Sequence, residues 1–139
     1  PPFPLASTRA MINLDMVGRM KDNKVTVASV DSAKEFRALL ERAGRAAGGL
    51  NVEMKPRGGA TDHVSFYNEQ VPAVHFYTGM HPDYHRPSDK WEKLNIEGMA
   101  RVGDMVLSLV NEIAAAGEGL TFVKLPSSRD GRPPPAKNP

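Results

Sequence analysis

Cysteine is absent from the 139 residues, so neither a disulfide framework nor a thiolate site is available, and thiol content says nothing about compartment. Aromatic residues make up only 6% of the chain, and no lysine and arginine cluster interleaves with them, which argues against a nucleic-acid-binding face. No apolar run approaches the roughly 18 to 20 residues of a membrane span. The start, Pro1-Pro2-Phe3-Pro4, has neither the basic segment nor the apolar stretch of a secretion signal. If the chain is a piece of a longer protein, such a signal would lie upstream. The net charge is only +2. Its excess is local, because residues 121 to 139 hold Lys124, Arg129, Arg132 and Lys137 against Asp130 alone, leaving the rest near neutral.

What is present is a chain of one domain at most, 40% hydrophobic and punctuated by 12 prolines and 12 glycines. Residues 1–9 are Pro-rich and read as an extended lead-in, residues 10–122 as the folded body, and residues 123–139 as a Pro-rich linker or tail. Ala10 to Val17 and Val25 to Val30 read as strands, with Lys21-Asp22-Asn23-Lys24 as the turn of a hairpin. Ser32 and Glu35 have the spacing of a capping box ahead of Phe36, Leu39, Leu40 and Ala43, which share a helical face until Gly48-Gly49. A short strand at Leu50 to Met54 follows. Thr61 or Asp62 is placed to cap a short helix to about Gln70, and Pro72 to Tyr77 is a further strand. Asn95 caps a long helix whose apolar stripe is expected at Ile96, Met99, Val102, Val106, Val110 and Ile113. The alternation predicts an α/β layer domain with a mixed sheet, partial in extent because so few helices cover it only in part.

Three places carry candidate chemistry. Asp15 sits at the end of an apolar strand, where an unpaired buried carboxylate costs several kcal/mol. It either caps a turn or pairs with Arg19, or it is a metal ligand beyond the carboxyl end of a strand. His85 lies between Pro82 and Pro87 in a strand-to-helix loop that is stiff enough to aim an imidazole, although an ordinary surface loop would also hold a histidine. His81 in the same loop and His75 in the strand have weaker claims, His75 reading as a sheet-face residue. Asp62-His63 opens a helix, where an Asp is most often a cap and can also orient a ligand or a substrate amine.

Asn13-Leu14-Asp15-Met16-Val17-Gly18-Arg19, then Thr61-Asp62-His63-Val64-Ser65-Phe66 with Val71-Pro72-Ala73-Val74, then Asp83-Tyr84-His85-Arg86-Pro87-Ser88-Asp89 together resemble the C-terminal half of the co-catalytic zinc aminopeptidases. These are the aminopeptidase Y and S type enzymes of metallopeptidase clan MH, related to glutamate carboxypeptidases and glutaminyl cyclases. The resemblance spans about residues 8 to 116. It implies a mixed-sheet α/β domain holding two zinc ions in the complete enzyme, with Asp15 and His85 as metal ligands, one to each zinc. It further implies Tyr84 as a catalytic phenol that stabilises the tetrahedral oxyanion, and Asp62 with His63 near the substrate or behind the ligands. Hard carboxylate oxygen and imidazole nitrogen suit zinc. The partners implied are a peptide substrate and the missing N-terminal half of the domain, with a homo-oligomer through an exposed sheet edge as a further expectation. A secreted or periplasmic location follows from the resemblance alone.

The departure from the family pattern is large. No His-x-Asp precedes residue 15 and no Glu-Glu occurs in the chain, so the bridging carboxylate, the general base and most metal ligands are missing. A catalytic zinc needs at least three protein ligands and an open position. The expectation is therefore the C-terminal part of a zinc aminopeptidase, inert as this chain. The alternatives are a non-catalytic α/β module working by association and an acyltransferase relative of the glutaminyl cyclase type.

Overall fold

The computed structural model describes residues 4–125. Four strands, β1 (Met11–Leu14), β2 (Lys24–Ala28), β3 (Asn51–Met54) and β4 (Ala73–Tyr77), form one mixed sheet in the spatial order β1-β4-β2-β3. β1 runs parallel to β4 and β2 parallel to β3, while β2 and β4 are antiparallel. The expected hairpin between β1 and β2 does not form. Its turn does: Asp22 and Asn23 both take positive φ and Lys24 N–H bonds to Lys21 O at 2.9 Å, the backbone that a tight primed turn requires. But β1 stops at Leu14, six residues before that turn, and β4 takes the place between the two strands. Ala73 to Phe76 are buried throughout, and an apolar strand of that kind belongs in the centre of a sheet.

Register assigns every strand residue to a face. Ile12 lies beside Val74, Val27 beside Phe76 and Val25 beside Val52. These side chains meet α1 (Phe36–Ala46) and α3 (Ile96–Ala115) in a single core with Phe36, Leu40, Met105 and Leu109. Each such fully buried large side chain contributes about 1.5 to 3 kcal/mol. Phe36, Leu39, Leu40 and Ala43 face the core as their spacing predicts. The capping box does not form: Ser32 Oγ, fully buried, donates to Ala73 O at 2.7 Å and accepts from Ala73 N–H at 3.1 Å. The Glu35 carboxylate instead takes the Thr121 amide at 3.0 Å and hydroxyl at 2.7 Å. Tertiary partners outcompete the local cap.

α3 begins where expected, with the Asn95 side chain accepting from Gly98 N–H at 2.8 Å, but its buried stripe is turned from the expected one. Val102 and Ile113 are buried together with Gly98, Met105 and Leu109, whereas Ile96 is 65% and Val110 43% exposed. Two apolar phases exist on this helix, and the core takes the one that runs through Gly98, Val102, Met105, Leu109 and Ile113. A Cβ at Gly98 would stand 2.9 Å from Met20 Cε and from the Asn95 side chain, so the glycine lets the first turn pack closely on both without either shifting. Among the described residues no helix is long and apolar enough to cross a membrane.

The opposite face of the sheet is polar. Asn13, Thr26, His75 and Tyr77 project there, and the short α2 (His63–Asn68) packs over β4 and β1. Within the lead-in Leu5–Ser7 close a 3-10 turn. The Pro-rich stretch from Pro126 lies outside the described residues.

Candidate active site

Asp15 follows β1 directly, its amide still bonded to Phe76 O at 3.2 Å. Met16 then turns the chain away with φ +59, and Met16 O accepts from both Thr78 N–H (3.0 Å) and Thr78 Oγ1 (2.8 Å). At Gly18 a Cβ would stand 2.6 Å from Leu94 Cδ2, so a side chain there would push Leu94 aside, and glycine lets this exit pass close against it. Gly18 O also accepts from Asn95 N–H at 2.9 Å. The exit of β1 is thus fixed to the end of β4 and to the start of α3.

Between β4 and α3 runs the loop of His81 to Asp89, a succession of turns closed by Tyr84 N–H to His81 O, Arg86 N–H to Asp83 O and Asp89 N–H to Arg86 O. Tyr84 and His85 stack with ring centroids 3.8 Å apart and planes 20° from parallel. His85 has φ +56, a sparsely populated conformation for a side-chain-bearing residue that the surroundings must hold in place. Asp15, Arg19, His81, Tyr84, His85, Asp89 and Leu94 line one cleft of about 300 Å³. The three residues expected to carry the chemistry, Asp15, Tyr84 and His85, therefore come together although some 70 positions separate them in sequence.

Arg19 does not pair with Asp15. Its Nη2 bridges Asp83 Oδ2 at 2.9 Å and Asp89 Oδ1 at 2.8 Å, and Lys93 Nζ takes the other Asp83 oxygen at 2.7 Å. Hydrogen bonds from Lys93 first and then Ser88, with a lesser one from Arg19, hold the Asp83 carboxyl well below the usual carboxylate range, although burial opposes them. The chain does contain a His-x-Asp downstream of Asp15, His81-Pro82-Asp83, but both oxygens of its carboxylate are committed to these cations. His81, with a side chain only 9% exposed, faces Asp89 at 3.8 Å. Sequence reasoning missed this cluster, because a loop carboxylate paired with a cation 64 or 70 residues away leaves no periodic or local signal. The only hint was opposite charge within two Pro- and Gly-marked loops.

Asp62 and His63 lie elsewhere. Asp62 is exposed at the N-cap position just before α2, without a side-chain cap bond, and Thr61, the other capping candidate, bonds through Oγ1 to His63 Nδ1 at 2.7 Å. His63 is buried, 2% exposed, with Ser29 Oγ 3.0 Å from its Nε2, and it lines a separate cleft of about 430 Å³ with Ser29, Arg57, Gly59 and Tyr67. Its ring stacks on His75 at 5.5 Å, and His75 stacks on Tyr77 at 5.3 Å. Burial pushes both imidazoles down from their ordinary value; at His63 the neighbouring His75 adds to this, and at His75 Asp15 opposes it. Asn13 Nδ2 stands 3.2 Å from His75 Nδ1 and 3.0 Å from Thr61 Oγ1. The Asp62-His63 block thus reaches the strand of Asp15 through His75 and Asn13, not by direct approach to the cleft.

Asp15 and His85 are donors of the type zinc takes, but among the described residues no group of three or more His, Asp or Glu side chains is placed to hold a metal ion. The donor set fits zinc in kind and falls short in number.

Comparison with known proteins gives the family and the fold. The family model described as peptidase family M28 matches residues 1–110. Aminopeptidase YwaD of Bacillus subtilis (strain 168) is 28% identical over 116 residues, which cover 78% of this chain and 26% of that protein. Among solved structures, an aminopeptidase from Aneurinibacillus sp. strain AM-1 is 27% identical with a TM-score of 0.62, covering 87% of this chain and 28% of that one. BSAP, a zinc aminopeptidase from Bacillus subtilis, shares the fold at 24% identity and a TM-score of 0.66, covering 84% of this chain and 32% of that one. The chain spans about a quarter of the curated relative and at most about a third of these structures.

Proposed function

The chain belongs to peptidase family M28, and from that membership we propose that it supplies the Asp15, Tyr84 and His85 side of a zinc-dependent aminopeptidase site. The observation that carries this reading is the convergence of the three residues on one cleft from the exit of β1 and the loop before α3. In this reading residues 10–122 are the C-terminal half of the peptidase domain, Asp15 and His85 each hold one of two zinc ions, and the substrate is a peptide with a free N-terminus. A zinc ion bound at such a site polarises the scissile carbonyl and lowers the pKa of its water. The Tyr84 phenol, 39% exposed at the cleft, donates a hydrogen bond to the carbonyl oxygen as negative charge develops on it, which lowers the barrier. Asp62 and His63 act at one remove, His63 through the stacked His75 and the Asn13 amide.

The general base and the remaining ligands belong to the N-terminal half, so this chain alone is inert. Co-expression with the upstream segment of the parent gene, assayed on an amino-acyl anilide, tests the proposal. A secreted or periplasmic location goes with the family reading and is tested by fractionating cells that express the whole gene.

A second reading, association without catalysis, is favoured by one feature. Among the described residues β1 pairs only with β4, and its other edge offers unpaired backbone groups to a further strand. That strand is either the N-terminal half or a second copy of the chain. Sedimentation of the chain alone and with the upstream segment distinguishes the two.

A further inference from the structure

We propose that Arg19 is a positioning residue: it staples both ends of the Asp83–Asp89 segment to the exit of β1, and so sets where Tyr84 and His85 stand relative to Asp15. The inference rests on the reading of those three residues as one site. A single nitrogen, Arg19 Nη2, bonds to Asp83 and to Asp89, and the five residues between these carboxylates include Tyr84 and His85. The contact to Asp83 is shielded, with side chains 16% and 17% exposed. That distinguishes it from an open surface pair, which contributes little. Lys93 on the second oxygen of Asp83 ties the same end of the segment to the approach of α3.

The base of the staple is itself fixed. Arg19 N–H bonds to Thr78 Oγ1 at 3.3 Å, the preceding Gly18 carbonyl takes the Asn95 amide, and Asn95 Nδ2 bonds to Met20 O at 2.9 Å. Asp15 stands four residues before Arg19 on this anchored segment. The loop, by contrast, has only short turn hydrogen bonds of its own, and it holds His85 at positive φ. The two carboxylate bonds to Arg19, with Lys93 on Asp83, are what tie that conformation to the body of the fold. Lysine replaces the guanidinium only in part, because an ammonium on a flexible stem is less pre-organised than the planar, rigid group that holds Nη2 between the two carboxylates.

The test compares Arg19→Met, Arg19→Lys, Asp83→Asn and Asp89→Asn in two measurements. In the 139-residue chain, amide exchange at Tyr84, Arg86 and Asp89 should quicken about tenfold or more in Arg19→Met, less in Arg19→Lys, while the sheet amides of Val27 and Phe76 stay within about twofold. If Arg19→Met loosens the sheet as well, the two Asn variants, each removing one arm, carry the measurement. Adding Asp83→Asn to Arg19→Met should then quicken the loop less than the two single effects combined, as residues of one network do. In the protein assembled with its upstream segment, Arg19→Met should lower kcat about tenfold or more with KM within about twofold, and Arg19→Lys should recover part of the loss. Loop exchange unchanged in Arg19→Met, fully additive loop effects, or a loosened loop with undiminished kcat would each overturn the role of Arg19. Absence of peptidase activity in the assembled wild type is a separate result, which sinks the aminopeptidase reading and leaves the staple to be judged on exchange alone.

Discussion

The Tyr84 ring lies over the His85 ring at 3.8 Å between centroids, at the cleft that Asp15 lines from the end of β1. A phenol held in this way is oriented by its neighbour, and replacing it with a phenyl ring preserves the stack while removing one donor. In the assembled peptidase, Tyr84→Phe should lower kcat by about 10²- to 10³-fold with zinc content unchanged, the usual effect of losing an oxyanion donor. Steady-state kinetics with metal analysis of the same preparation checks this. An unchanged kcat would reassign Tyr84 to packing against His85.

Asp15 and His85 are the two metal ligands proposed for this chain, and among the described residues no group of three or more His, Asp or Glu side chains is placed to hold a metal ion. Zinc binding by the isolated chain should therefore be weak. A calorimetric titration giving stoichiometric, sub-micromolar binding that His85→Ala abolishes would contradict this, unless sedimentation shows that two chains assemble one site.

His63 and His75 are buried and stacked, and both imidazoles are shifted down, by burial first. Unfolded, they take up protons near the ordinary value of 6.5; folded, they do so only at lower pH. Between the two the unfolded chain binds more protons, so stability should fall as the pH drops below about 6.5. Urea unfolding between about pH 7.5 and 5.5, above the range of ordinary carboxylates, measures the slope. The double variant His63→Gln with His75→Gln should flatten it, and a slope that survives in the double variant would assign the titration to other groups.

How much of this was legible in the sequence follows from the range of each interaction. The extents of α1 and α3 and the Asn95 cap rest on residues within a turn or two of one another, and they were readable. So was the presence of a loop around His85, because Pro82 and Pro87 mark it locally. Strand order was not: the turn chemistry of Asp22-Asn23 promises a hairpin, and nothing near it says that β4, some 50 residues later, takes the place beside both strands. Ser32 illustrates the same limit, since its spacing to Glu35 fits a cap but Ala73 of β4 claims its hydroxyl. The buried phase of α3 was not legible either, because periodicity offers two apolar stripes and only packing in the folded chain chooses the one of Gly98, Met105 and Leu109. Asp15, Tyr84 and His85 could be named as candidates from their sequence blocks, and they line one cleft, while the Arg19 bridge and the burial of His63 depend on contacts formed only by the folded chain.

Activity after reassembly tests the central claim most directly. The chain co-expressed with the upstream segment of its gene should hydrolyse an amino-acyl anilide, the chain alone should not, and Asp15→Ala or His85→Ala should each remove the restored activity. Hydrolysis by the isolated chain, purified free of contaminating peptidase, would contradict the account and require a general base within these 139 residues.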